Sequence, residues 1–192
     1  MKYVFIDMDG TIAEWGYPDG RISGEYQFGD YVNKQPINDV IAEIYNLYSN
    51  SEDYIVYVLS AVPNTKAIFE KNSWLDTYFV IPYQNRIFIR NDEDKIDIIK
   101  FVLDKFYGLA PEGNAILVDD KKELLLKATE IGIEAIHPTK IITSFQQRMA
   151  ELQKNKPEVG NNEEGNEVEI VDSASQEEPI DISEETKNSV TE

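Results

Sequence analysis

Short apolar segments that each stop abruptly at carboxylates or a hydroxyl constrain this chain more than any other feature. Lys2-Tyr3-Val4-Phe5-Ile6 runs into Asp7-Met8-Asp9-Gly10-Thr11, Tyr54 to Leu59 runs into Ser60, and Ala115 to Val118 runs into Asp119-Asp120. Segments apolar on both faces, alternating with helical patterns, predict a parallel sheet covered by helices on each side. In such a sheet the carboxyl ends of the strands share one edge, where ligands bind. Three strands thus deliver four carboxylates and a hydroxyl to one rim. A chance arrangement would scatter them over both edges.

The remaining elements follow from periodicity. Pro36 suits a first helical turn ahead of the stripe Val40, Ile41, Ile44, Leu47 and Tyr48. A helix is predicted from about Asn64 to Asn72, followed by Trp74 to Tyr78, and another from Asp92 to Tyr107 with Gly108 as its stop. Leu124, Leu125, Ala128 and Ile131 define a further helix ended by Gly132, and residues 141–153 a closing one. Phe79 to Pro82, Ile87 to Ile89 and Ile133 to Ile136 are short strand candidates. The expected fold is α/β, a three-layer Rossmann-like parallel sheet of about five strands. Residues 15–35, rich in Gly, Tyr and Asp and carrying the turn Pro18-Asp19-Gly20, read as a short flap or minimal cap, with a plain surface loop as the alternative.

Charge narrows the partners. Glu151 to Glu192 holds 13 acids against 3 lysines, and the preceding 150 residues hold 23 acids against 15 bases. Residues 1–156 are expected to form the domain and 157–192 an acidic disordered tail, because apolar residues thin out there. Acidic surfaces do not track long nucleic acids, but a local cation and a few donors suffice for a small phosphorylated ligand. With no Cys there is no disulfide framework or thiolate chemistry. No run of about 18 apolar residues is present to span a membrane, and the first residues lack a signal-peptide pattern. A cytoplasmic protein is the expectation.

Gly10 permits a sharp turn that brings Asp7 and Asp9 to one site. Two carboxylates there repel, and a bound cation or a shared proton relieves them; a Mg²⁺ site and acid/base work are both open on that basis. Asp7-Met8-Asp9-Gly10-Thr11, Ser60, Lys95 and Asp119-Asp120, in that order, resemble the four motifs of the haloacid dehalogenase-like phosphohydrolase superfamily over roughly residues 1–140. The short insert, the Arg90-to-Lys95 segment and Leu117-Val118-Asp119-Asp120-Lys121 are similar to the branch containing the 5′(3′)-deoxyribonucleotidases, whose helical caps are generally longer than residues 13–35 could form.

The resemblance implies a Mg²⁺-dependent phosphomonoester hydrolase with Asp7 as nucleophile and Asp9 as general acid/base. It implies Mg²⁺ held by Asp7, the backbone carbonyl of Asp9, and Asp119, with Asp120 behind them. Ser60 and Lys95 would bind the phosphoryl oxygens, with Lys66 the rival lysine. Plainer roles stand beside these: Ser60 or Asp120 as a helix cap, Lys95 as a solvated partner of Asp92 or Glu93, and Trp15, Tyr17 and Tyr26 as packing rather than base-stacking groups. Arg21 and Arg90 are candidates to meet a second anionic group, or surface charges. His137 carries no assigned chemistry. A nucleoside monophosphate is the expected substrate, a sugar phosphate the nearest rival, and a non-catalytic phosphate-binding scaffold the alternative from another class. A flap this short leaves a homodimer open as the way to complete the site.

Overall fold

The computed structural model describes residues 1–21, 24–49 and 52–143 of the chain. Strands β1 (Lys2–Ile6), β2 (Tyr54–Ala61), β3 (Arg86–Ile89), β4 (Ala115–Val118) and β5 (Glu134–Ile136) form one sheet in the order β3-β2-β1-β4-β5. All four pairings are parallel. Helices α1 (Asn38–Ile44), α2 (Thr65–Tyr78), α3 (Lys95–Val102) and α4 (Lys122–Glu130) cover it. The expected three-layer α/β sheet of five strands is what forms.

Side-chain alternation assigns the layers. Val4, Ile6, Val56, Val58, Ile116 and Val118 join Val40, Ile44, Trp74 and Leu75 from α1 and α2 in one core. Tyr3, Phe5, Tyr57, Leu59 and Leu117 join Ile96 and Ile99 from α3 and Leu124 and Ala128 from α4 in the other. Successive residues of a strand point to opposite faces, so each strand feeds both cores and is buried on both sides. The chain runs outward from β1 through β2 to β3, then returns to place β4 on the other flank of β1. The order therefore reverses between β1 and β4, where an open α/β sheet forms its binding crevice.

Several boundaries differ from expectation, for local reasons. Helix α1 starts at Asn38, because Pro36 pairs with Ala13 in an isolated bridge that ends the insert. Helix α2 continues through Trp74 to Tyr78; Ser73 and Thr77 return hydroxyl bonds to the carbonyls of Phe69 and Ser73 instead of breaking it. Phe79 to Pro82 is not a strand, since the Phe79 N–H closes α2 on Leu75 and Pro82 leads into a 3₁₀ turn, Tyr83–Asn85. Residues 138–143 are helical; the rest of the predicted 141–153 helix and the acidic segment 157–192 lie outside the described residues. No helix among the described residues is long and apolar enough to cross a membrane.

The described part of 15–35 contains no helix or strand, and one carboxylate of α2 gathers four of its donors. Glu70, 1% exposed on α2, accepts from the Tyr26 hydroxyl (2.6 Å) and from the backbone N–H groups of Gly29 (2.7 Å), Tyr31 (2.9 Å) and Val32 (3.3 Å). Arg21 ties the other limb to Asp19 and Asp30. Burial raises the Glu70 carboxyl, but these donors outweigh it and hold it below its ordinary 4.5. A depressed carboxyl stabilises the fold fully above its unfolded pKa and loses that contribution as pH falls through the folded one. Glu70→Gln is expected to cost about 1.5–3 kcal/mol at pH 7. Denaturant unfolding of the two proteins should converge as the pH drops below 4.5.

Candidate active site

The backbone carries the site just past the ends of β1 and β4. The Asp7 N–H bonds the Val118 carbonyl (2.9 Å) and the Asp119 N–H bonds that of Ile136 (3.2 Å), so the parallel ladder holds both residues beyond the strands proper. Asp7 and Asp119 continue the face of Phe5 and Leu117, towards α3, and there they meet Lys95. The buried Lys95 Nζ lies 2.8 Å from Asp7 Oδ1, 2.7 Å from Asp119 Oδ2 and 3.2 Å from Asp92 Oδ1. The second oxygen of Asp119 accepts the Lys121 N–H (2.8 Å).

After Asp7 the chain turns. The N–H groups of Thr11, Ile12 and Ala13 converge on the Met8 carbonyl, and Asp9 swings to the other side, towards α2. Lys71, fully buried, donates to Asp9 Oδ2 (2.5 Å), Ser60 Oγ (2.9 Å) and the Ala61 carbonyl (2.7 Å). Lys34 from the insert lies 2.9 Å from Asp9 Oδ1 and donates to the Glu14 carbonyl (3.2 Å). Gly10 is required here: its φ is +78°, and a Cβ would stand 2.3 Å from Asp120 Oδ2.

Charge is unevenly relieved. Burial pushes Asp7 up to about 6; Lys95 opposes the rise, and Asp119 and Asp9 add to it. Burial also raises Asp119 and Asp120, the latter helped by the charge on Asp7. Asp9 moves the other way, because Lys71 and Lys34 together outweigh its burial. The three carboxylates Asp7, Asp119 and Asp120 bring oxygens within 4.8 Å of one another, and Asp120 Oδ1 is buried with no hydrogen-bond partner. An all-oxygen donor set with excess negative charge and an orphaned acceptor fits a hard divalent cation.

The predicted residues separate into two groups. Asp7, Asp119, Asp120 and Lys95 stand together, and Asp9 and Ser60 meet around Lys71. Lys95 is buried rather than solvated, while Lys66 is exposed on α2 and takes no part. Asp120 does not cap α4, whose first turn has no side-chain cap, and Asn64 rather than Ser60 caps α2 by accepting from the Ala67 N–H (3.1 Å). Lys71 and Lys34 are additional members of the site. A cavity of about 290 Å³ opens above these groups, lined by Asp7 and Asp9, by Trp15 and Tyr17 of the insert, and by Arg90 beyond β3. Tyr26 packs instead against Tyr31 and Glu70. His137 is occupied by a local contact with Thr139.

No family model and no curated protein sequence matches this chain. Among solved structures it is similar to D,D-heptose 1,7-bisphosphate phosphatase from Burkholderia thailandensis, with 12% identity and a TM-score of 0.45 over 69% of this chain and 75% of that one. A likeness so distant bears neither on fold nor on activity here; both rest on this chain's own residues.

Lys95→Met removes the cation shared by three carboxylates and is expected to cost about 3–5 kcal/mol, the usual result of unpairing buried charge. Added Mg²⁺ should raise the unfolding temperature of this variant more than that of the parent, as read by thermal denaturation with and without the metal.

Proposed function

We propose that the chain is a Mg²⁺-dependent phosphomonoester hydrolase that works through an aspartyl-phosphate on Asp7. The observation that carries this reading is Asp7 itself. It is a buried carboxylate at the sheet's topological switch point, opening on a small cavity and oriented by an ammonium 2.8 Å away. The motif resemblance of residues 7–11, 60, 95 and 119–120 supports the same assignment.

Asp7, Asp119 and the backbone carbonyl of Asp9 would hold the ion, with Asp120 beside them. The bound cation supplies charge neutralisation at the phosphoryl oxygens. The carboxylates Asp7, Asp9, Asp92, Asp119 and Asp120 outnumber the lysines that pair with them, Lys34, Lys71, Lys95 and Lys121, so no lysine of the cluster is left over for an anionic substrate. Two unit charges 4 Å apart at a partly screened site interact by roughly 4 kcal/mol.

The chain's own residues divide the work. Lys95 fixes the Asp7 carboxylate for attack on phosphorus. The oxygen leaving with the organic group takes a proton from Asp9, and Asp9 then takes one from the water that displaces phosphate from Asp7. Lys71 and Lys34 favour the carboxylate form of Asp9, which suits the second step. The negative charge of arriving phosphate opposes them and raises the proton affinity needed for the first. Ser60, tethered to Lys71, keeps a hydroxyl proton to offer, and with Lys95 it would be the phosphoryl contact that the motif resemblance implies.

The cavity suits a small metabolite rather than a polymer end. Trp15 lines it while 61% exposed, an aromatic face free to stack on a base, so nucleoside monophosphates are the first class to assay and sugar phosphates the second. Phosphate release from both classes, with Mg²⁺ and with EDTA, tests the reading. Turnover should require the metal and fall by about 10³-fold or more in Asp7→Asn. Undiminished turnover in Asp7→Asn would exclude it as nucleophile.

A further inference from the structure

Arg90 is a cation on the cavity with no anionic partner among the described residues. It follows β3 directly, on the same sheet edge as Asp7 and Asp119, and lines the cavity they open into. Of the three described arginines, Arg86 is bound to Asp76 and Arg21 to Asp19 and Asp30. Arg90 is exposed and makes no hydrogen bond or ion pair with any described residue. This is unusual in a chain with 36 acids and 18 bases. The nearby carboxylate Asp92 is already taken by Lys95 and Lys121.

Its position is set by rigid structure. The Val62 N–H bonds the Ile89 carbonyl (2.7 Å), so the β2–β3 ladder extends to the residue before Arg90. By register, Asp7 is level with Leu59 and Ile87, which puts Arg90 two strands across and three residues up from Asp7. Two inter-strand spacings and three strand rises place their Cα atoms about 14 Å apart. That separation is long enough to leave room for several bonds of substrate between Asp7 and the guanidinium. It suits a substrate that carries its scissile phosphate at Asp7 and another anion some bonds away.

We propose that Arg90 forms a subsite for a second anionic group, a phosphate or carboxylate, on the organic part of the substrate. The inference rests on the phosphomonoesterase reading of the site and narrows its substrate class. A planar guanidinium grips either oxyanion through paired N–H donors, and Trp15 lines the same cavity to flank the carbon skeleton between the two anions.

Binding tests it apart from catalysis. Asp7→Asn protein with Mg²⁺ is titrated by calorimetry with two matched pairs. One is adenosine 5′-monophosphate against adenosine 3′,5′-bisphosphate; the other is glycerol 3-phosphate against 3-phosphoglycerate. At least one doubly anionic member should bind ten-fold or more tightly than its partner, and the pair that shows it says whether phosphate or carboxylate is read. Arg90→Gln in the same background should bring that ratio close to one, and Lys105→Gln, a remote exposed charge, should leave it unchanged. Equal affinities within both pairs, no binding of any of the four, or a ratio that survives Arg90→Gln would overturn the subsite. Turnover by the parent enzyme on any of the four reports separately on the hydrolase reading.

Discussion

A single buried ammonium organises this molecule's functional end. Lys95 has no contact with solvent, so its charge is tolerable only because Asp7, Asp119 and Asp92 surround it. Those partners come from the ends of β1 and β4 and from the turn before α3. Their convergence requires the two strands to be neighbours and α3 to lie on their shared face. The strand order supplies both conditions. Placing β4 beside β1 opens the crevice, and the crossover from β3 lays α3 across the face that Asp7 and Asp119 extend.

A second buried lysine answers the first on the other side of the sheet. Strand alternation sends Asp7 and Asp119 towards α3 and Ser60, which continues the face of Val56 and Val58, towards α2. Ser60 and Lys95 therefore approach the same rim from opposite layers, and Lys71 is the cation on the Ser60 side. Its neighbour Glu70 anchors the insert, so two adjacent residues of α2 tie Asp9 and the cavity wall to one rigid element. Tyr31 joins the two, lying under the ammonium groups of both Lys71 and Lys34.

The sheet and most of the acidic site were legible in the sequence because they rest on strong local signals: fully apolar strands and polar residues directly after them. The strand-end carboxylates fall where the strands predict, and Lys95 stands among them. Lys71 was harder to see. A helix assumed to end at Asn72 hides that Lys71 shares a stripe with Ala67, Trp74 and Leu75, and a Lys in an apolar stripe signals a buried charge needing partners. The partners of Glu70 could not be read at all, because they are backbone N–H groups of a loop without periodicity. Asp120 was open between two readings, a place behind Asp7 and Asp119 or a cap on the following helix; here it stands beside those two carboxylates and against Gly10 from the adjacent strand end, a contact that only the fold creates.

The most direct test of the account is to trap the covalent intermediate. Enzyme turning over a phosphomonoester is quenched in acid and reduced with borohydride, and its peptides are sequenced by mass spectrometry. An acyl phosphate on Asp7 should appear as homoserine at position 7, dependent on substrate and metal and absent from Asp7→Asn. Sustained turnover with position 7 unmodified, or with the modification on Asp9 or Asp119 instead, would contradict the central claim that Asp7 is the nucleophile.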